Sequence, residues 1–135
     1  YPLPTGATIP VGIHCERAWL LMQNYVHPMR CYVPNGEIVL DYADGTRTII
    51  SLVPPYNLDC YFQQFALEGM DVPLGTVTKP ISGFLMTVGN RATRARAQLL
   101  QVPCNPAKAL KTIEIRATCS EGVIGVTGLT LLRTP

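Results

Sequence analysis

Charge is scarce in this chain. Only 15% of its 135 residues are charged, and eleven Lys and Arg against nine Asp and Glu leave a net charge of +2. A dedicated nucleic-acid binder carries a clustered basic face. The main concentration of positive charge here is Arg91, Arg94 and Arg96, too small for that role, so no nucleic-acid partner is expected. Long apolar runs are missing too. Ala18-Trp19-Leu20-Leu21-Met22 shows how short they are, whereas a spanning helix needs about 20 predominantly apolar residues. No membrane span is expected, and no basic stretch followed by an apolar one opens the chain as a signal peptide would. The chain starts at Tyr1, which reads as a processed mature protein or a piece of a longer one. The expectation is one domain over 1–135, a fragment or terminal domain of a longer protein.

Paired metal-ligand and catalytic spacings are equally absent. The five cysteines, Cys15, Cys31, Cys60, Cys104 and Cys119, are too few and too widely spaced for a disulfide scaffold. One disulfide using Cys15 or Cys31 stays open, with no pairing chosen. His14-Cys15, His27 and Cys31 lack the C-x-x-C or H-x-x-x-H spacing of a structural zinc site. They read as buried thiols, which behave as small hydrophobes, and as hydrogen-bonded histidines. No metal and no cofactor is expected. Ser51, Ser82 and Ser120 have no G-x-S-x-G context, and no glycine-rich phosphate loop occurs. Of the acids, Asp44 is a turn residue, Asp41 and Glu114 alternate outward on strands, and Asp71 sits in a loop. Asp59 and Glu68, both in the irregular segment 54–79, are the candidates for a glycosidase pair. An autonomous enzyme is not expected.

Apolar residues are what the chain does have: they make up 47% of it, which excludes intrinsic disorder. Twelve prolines and eleven glycines interrupt any long helix. Between them lie short runs rich in Val, Ile, Leu, Thr and aromatics, which suit strands. Candidate strands are Ala7–Ile13, Arg17–Asn24, Glu37–Ala43, Thr46–Val53, Ile81–Val88, Arg96–Val102, Leu110–Thr118 and Val123–Leu132. About eight strands at this spacing predict an all-β, antiparallel β-sandwich. In the last strand, Gly125 and Gly128 suggest a bulge or a close backbone approach. Trp19, between Ala18 and Leu20, reads as core.

Asp44-Gly45 between two apolar runs is a strong hairpin signal. A two-residue turn sets Leu40 opposite Ile49 and Val39 opposite Ile50. Both faces are then apolar toward the middle, which predicts a sheet covered on both sides. The segment Pro54–Lys79 shows no periodicity, and irregular stretches of that length tend to be functional; Tyr61–Leu67 fits one or two helical turns. Carbohydrate sites combine planar side chains with a few placed polar groups. Tyr56, Asn57, Asp59, Tyr61, Gln63 and Gln64 are of the right types, with Arg47 or Asn90 as polar assistants. The competing reading makes Tyr61, Phe62 and Phe65 a plug for the end of the core.

Three stretches carry a resemblance. They are Ile9-Pro10-Val11 leading to Ala18-Trp19-Leu20-Leu21; EIVLDYADGTRTIISL over Glu37–Leu52, followed by Pro54-Pro55-Tyr56-Asn57; and LKTIEIRATCSEGVIGVTGLTLL over Leu110–Leu132. In this order they resemble the galactose-binding-like, jelly-roll accessory domains of secreted bacterial, Bacteroidetes-type glycoside-hydrolase-related proteins. The acidic cluster that holds structural calcium in many related modules is not visible. The resemblance implies a non-catalytic module that binds or positions a glycan, or packs on a neighbouring domain of the same polypeptide. It also implies a secreted, periplasmic or cell-surface location.

Overall fold

The computed structural model describes residues 3–25, 30–54, 56–58, 76–88 and 91–135, with Gln23, 76–88 and 91–98 described by backbone alone. These residues form seven strands and no helix: β1 (Gly6–Asn24), β2 (Gly36–Tyr42), β3 (Arg47–Leu52), β4 (Thr76–Val88), β5 (Arg91–Pro103), β6 (Ala109–Ala117) and β7 (Ile124–Arg133). Every pairing is antiparallel, in the order β3-β2-β6-β1-β5-β4, with β7 also laddered to β1. The strands make one curled sheet, a half-barrel.

The curl has its origin in β1, where the two strands expected over Ala7–Ile13 and Arg17–Asn24 are one. The N-terminal half of β1 pairs with β6, from Gly6 opposite Arg116 to His14 opposite Ala109. Its C-terminal half runs between β5 and β7, so Leu20 faces Leu100 on one side and Leu129 on the other. The change of partner follows a register shift between Pro10 and Ile13, within which Gly12 takes φ 74°. A side chain there would have open space; the left-handed backbone is what calls for glycine. A bulge of this kind bends a strand and raises its twist, so β1 continues from one ladder into the other without a break. Opposite β7 the register shifts between Cys15 and Arg17 and again between Leu21 and Met22; just beyond the latter, Gly125 lies directly against the Tyr25 ring.

The concave side holds the core. Ala18, Leu20 and Met22 of β1 meet Ile38, Leu40 and Tyr42 of β2, Leu100 and Val102 of β5, and Leu110 and Ile113 of β6, with Leu58 joining from beyond β3. Trp19 is not among them. It alternates with Ala18 and Leu20, lies half-buried on the outer face, and has Gln101 and Thr130 as cross-strand neighbours. The period of two placed its smaller neighbours inward and left the largest ring outside.

The hairpin exists, but its register is one residue away from the two-residue expectation. Ile38 faces Ile50 and Val39 faces Ile49. The loop contains three residues, Ala43-Asp44-Gly45. The Tyr42 N–H donates to the Thr46 carbonyl at 2.9 Å, the Gly45 N–H donates to the Tyr42 carbonyl at 3.0 Å, and Gly45 takes φ 84°. This is the three-residue loop with a left-handed glycine. A one-residue slip exchanges faces, and here it sends Ile50 inward, buried, while Ile49 is 52% exposed.

The outer face is covered over the middle of β2, where Val39 is fully buried, and open over β3, where Ile49 is half exposed. The cross-strand neighbours of Val39 are Ile49 and Glu114. Around it run ion pairs: Arg47 to Asp41 at 2.6 Å, and Arg116 to Glu37 at 3.0 Å and to Glu114 at 3.9 Å. The stems of long charged side chains cover apolar surface while their heads stay in water.

Asp44 ties the turn to the β5–β6 connection. Its carboxylate accepts from the Thr46 N–H at 3.0 Å and hydroxyl at 2.6 Å, and pairs with the Lys108 ammonium at 2.8 Å. The Tyr42 hydroxyl accepts the Asn105 N–H at 3.0 Å a few residues away. The Lys108 ammonium, then Thr46, holds the Asp44 carboxyl well below the usual carboxylate range. A carboxyl with a lowered folded pKa stabilises fully above its unfolded value of about 4, and that contribution fades as pH falls through the folded value. Asp44→Asn therefore melts lower than the wild type at neutral pH, and the gap narrows as pH drops below about 4. Thermal melts of both proteins across this range check it; an unchanging gap would rule out the Asp44 carboxylate as its source.

Candidate functional site

The open end of the β2–β3 hairpin carries the site. Residues 30–35 lead into β2 and residues 53–58 leave β3, so the two segments emerge side by side. Backbone bonds staple them: the Asn35 N–H to the Leu52 carbonyl at 2.9 Å and the Tyr32 N–H to the Pro54 carbonyl at 2.6 Å. After β3 the chain turns sharply, with the Tyr56 N–H donating to the Val53 carbonyl at 2.8 Å.

Asn57 locks that turn. Its Oδ1 accepts the Val53 N–H at 2.7 Å and its Nδ2 donates to the Ser51 carbonyl at 2.8 Å. Expected as a glycan contact, it is 2% exposed, with both ends of its amide already engaged. The turn it closes presents Tyr56, which is half-buried, to Tyr32, which is 65% exposed. The two rings meet edge to face, centroids 5.8 Å apart and planes at 64°. That is the favoured geometry for an aromatic pair. Tyr32 takes φ 64°, a genuine outlier for a bulky residue that costs about 1–2 kcal/mol and is held by surrounding contacts. Val33 beside it is exposed, and two residues upstream Arg30 forks onto Glu121 at 2.7 and 3.2 Å.

Arg47 opens β3, at the opposite end from Tyr56, and is engaged with Asp41. Asp59, Tyr61, Gln63, Gln64 and Asn90 lie outside the described residues, as do the plug residues Phe62 and Phe65 and the helical turns expected over Tyr61–Leu67. Tyr32 was missed by sequence reasoning. Nothing in its neighbourhood relates it to a residue beyond the next hairpin, and Tyr56 had drawn notice only by its type.

Among the described residues, Asp41, Asp44, Glu37, Glu114 and Glu121 each sit beside a Lys or Arg. No group of three His, Cys, Asp or Glu gathers among the described residues. His14 reaches the Pro106 carbonyl through Nδ1 at 3.0 Å; His27 lies outside the described residues. A cavity of about 630 Å³ opens between the N-terminal half of β1, β6 and β7, lined by Leu3, Ile9, Ile115, Cys119, Ile124 and Val126 among others. Its lining contains no carboxylate and no imidazole. No helix among the described residues is long and apolar enough to cross a membrane. Comparison with known protein families, with curated proteins and with solved structures returns no match for this chain.

Proposed function

We propose that this chain is a non-catalytic, carbohydrate-associated module of a secreted or cell-surface glycoside-hydrolase-type protein, a galactose-binding-like jelly-roll β-sandwich in its complete architecture. It binds or positions a glycan. The observation that carries this reading is the Tyr32–Tyr56 pair. The C–H face of a pyranose packs on an aromatic ring, and two rings set edge to face offer two surfaces of different inclination. The left-handed backbone of Tyr32 adds to this, because strain of that kind gathers at functional sites. A fixed turn beneath Tyr56 supplies the rigidity a stacking platform needs.

A second reading, a structural module packed on a neighbouring domain, draws on one observation. Trp19 and Leu21 lie half-buried on the outer face, with Leu99 opposite Leu21 and the exposed Leu132 opposite Arg17. Inter-domain surfaces of about 600–1,500 Å² need no ligand.

A glycan array with the wild type, Tyr32→Ala and Tyr56→Ala separates the two. The glycan reading expects wild-type binding and a loss of about 10–100-fold in each variant. No binding to any sugar sinks it in favour of the packing module. Binding that survives both substitutions keeps the function and moves the site away from this pair.

A further inference from the structure

Two of the cysteines come together without any chemistry assigned to them so far. Arg17 and Pro103 are the last cross-strand partners of β1 and β5, and beyond them the Cys104 N–H donates to the Glu16 carbonyl at 2.9 Å. The β1–β5 ladder thus runs one step further and sets Cys104 beside the start of the C-terminal half of β1. The register shift opposite β7 between Cys15 and Arg17 turns the Cys15 side chain inward, where it is fully buried in the core. Cys104 is partly buried and packs against the same core. The Cys104 thiol is directed at the Val102 carbonyl at 3.8 Å, and it lies near enough to Cys15 to feel its presence. Cys119 lies elsewhere, its thiol directed at the Asn35 carbonyl at 3.7 Å, and Cys31 is exposed.

We infer that Cys15 and Cys104 are a disulfide-forming pair, closed by a disulfide-class oxidant into a cross-link between β1 and the β5–β6 connection. The partly exposed Cys104 is the point of entry. Its thiolate attacks one sulfur of the oxidant, whose S–S bond breaks and releases the first thiolate. Cys15, losing its own proton, then attacks the Cys104 sulfur and displaces the second thiolate. The two protons lost by the cysteines end on the two thiols released, so the protein gives up two electrons and the oxidant takes them. Burial, then the contact with Cys15, pushes the Cys104 thiol up to about 12. Little thiolate exists at neutral pH, so closure is slow. That suits a cross-link made once, during maturation, in place of a rapid redox sensor. The closed loop spans most of the strands, and long loops confine the unfolded chain most.

The test uses the wild-type protein, equilibrated with oxidised and reduced glutathione, denatured under alkylation and mapped by mass spectrometry. The expected product is one cross-linked peptide pair holding Cys15 and Cys104, two hydrogens lighter than the reduced pair. The oxidised protein is expected to melt about 5–15 °C above the reduced one. Cys104→Ala abolishes that shift and Cys31→Ser retains it. Full alkylation of both cysteines after oxidising equilibration overturns the inference. So does glutathione left unresolved on Cys104, or a bond from either residue to Cys31, Cys60 or Cys119.

Discussion

Replacing Leu20 by Ala lowers the unfolding free energy by about 3–5 kcal/mol, the upper range for a truncated core leucine. Leu20 is fully buried and stands in β1 between Leu100 of β5 and Leu129 of β7. Both neighbouring strands are anchored by their own ladders to β1, so the void has little freedom to collapse, and a void that cannot collapse is the costly kind. Leu20 also belongs to the cluster that includes Ile38 and Leu40 of β2 and Ile113 of β6. The loss is therefore shared by the two ladders that β1 joins. Equilibrium denaturation should show a lower midpoint with an unchanged denaturant slope, the sign of lost stability in an intact cooperative unit. A loss below about 1 kcal/mol would mean that Leu20 is not enclosed as described. Ile49→Thr is the matched control: half-exposed on β3, it is expected to change stability by no more than about 0.5 kcal/mol.

Asn57→Ala is expected to cost about 1–3 kcal/mol, because the substitution leaves the Val53 N–H and the Ser51 carbonyl without their partners. Its second effect is more informative. With the turn unlocked, Tyr56 is no longer held against Tyr32, so glycan affinity should fall although residue 57 touches no sugar. Asn57→Asp separates the two roles: its carboxylate still accepts from Val53 but has no N–H to donate to Ser51. An intermediate stability is expected. Denaturation midpoints and array binding, measured on both variants, check the pair of effects. Full wild-type stability in Asn57→Ala would contradict the turn as described.

Strand content was open to sequence reading because alternation is a local property. Ile113 and Ile115 separated from Glu114 and Arg116 announce β6 without help from the rest of the chain. Register was a different matter. Asp44-Gly45 suits two-residue and three-residue loops alike, and what admitted Ala43 into the loop was the Thr46 carbonyl receiving Tyr42, with Lys108 clamping Asp44 from a distant connection. Pro10 and Gly12 lie inside the expected strand Ala7–Ile13, and the break expected between Ile13 and Arg17 does not occur. In the fold, the half of β1 holding them is laddered on one side only among the described residues, a setting in which proline is tolerated, and Gly12 bends the strand so that it continues. The expected register set Val39 with Ile50 and Leu40 with Ile49; the three-residue loop instead pairs Val39 with the half-exposed Ile49. Of the candidate site, Tyr56 was legible by its type, but its partner Tyr32 was not. The two are brought together by an intervening hairpin, and no spacing rule connects them.

The bent strand β1 also sets the order in which this chain can be assembled. During synthesis β1 emerges first, yet its partners β5, β6 and β7 are the last strands to be made. Among the described strands, the β2–β3 and β4–β5 hairpins alone can close locally while translation proceeds. Ladders between distant segments form slowly, and unpaired strands wait in the meantime. The apolar run Ala18–Met22 thus stays open to chaperones, or to another nascent chain, until the final strand is released. A fold whose central strand must wait for its end is one in which the yield of native protein depends on the pace of translation.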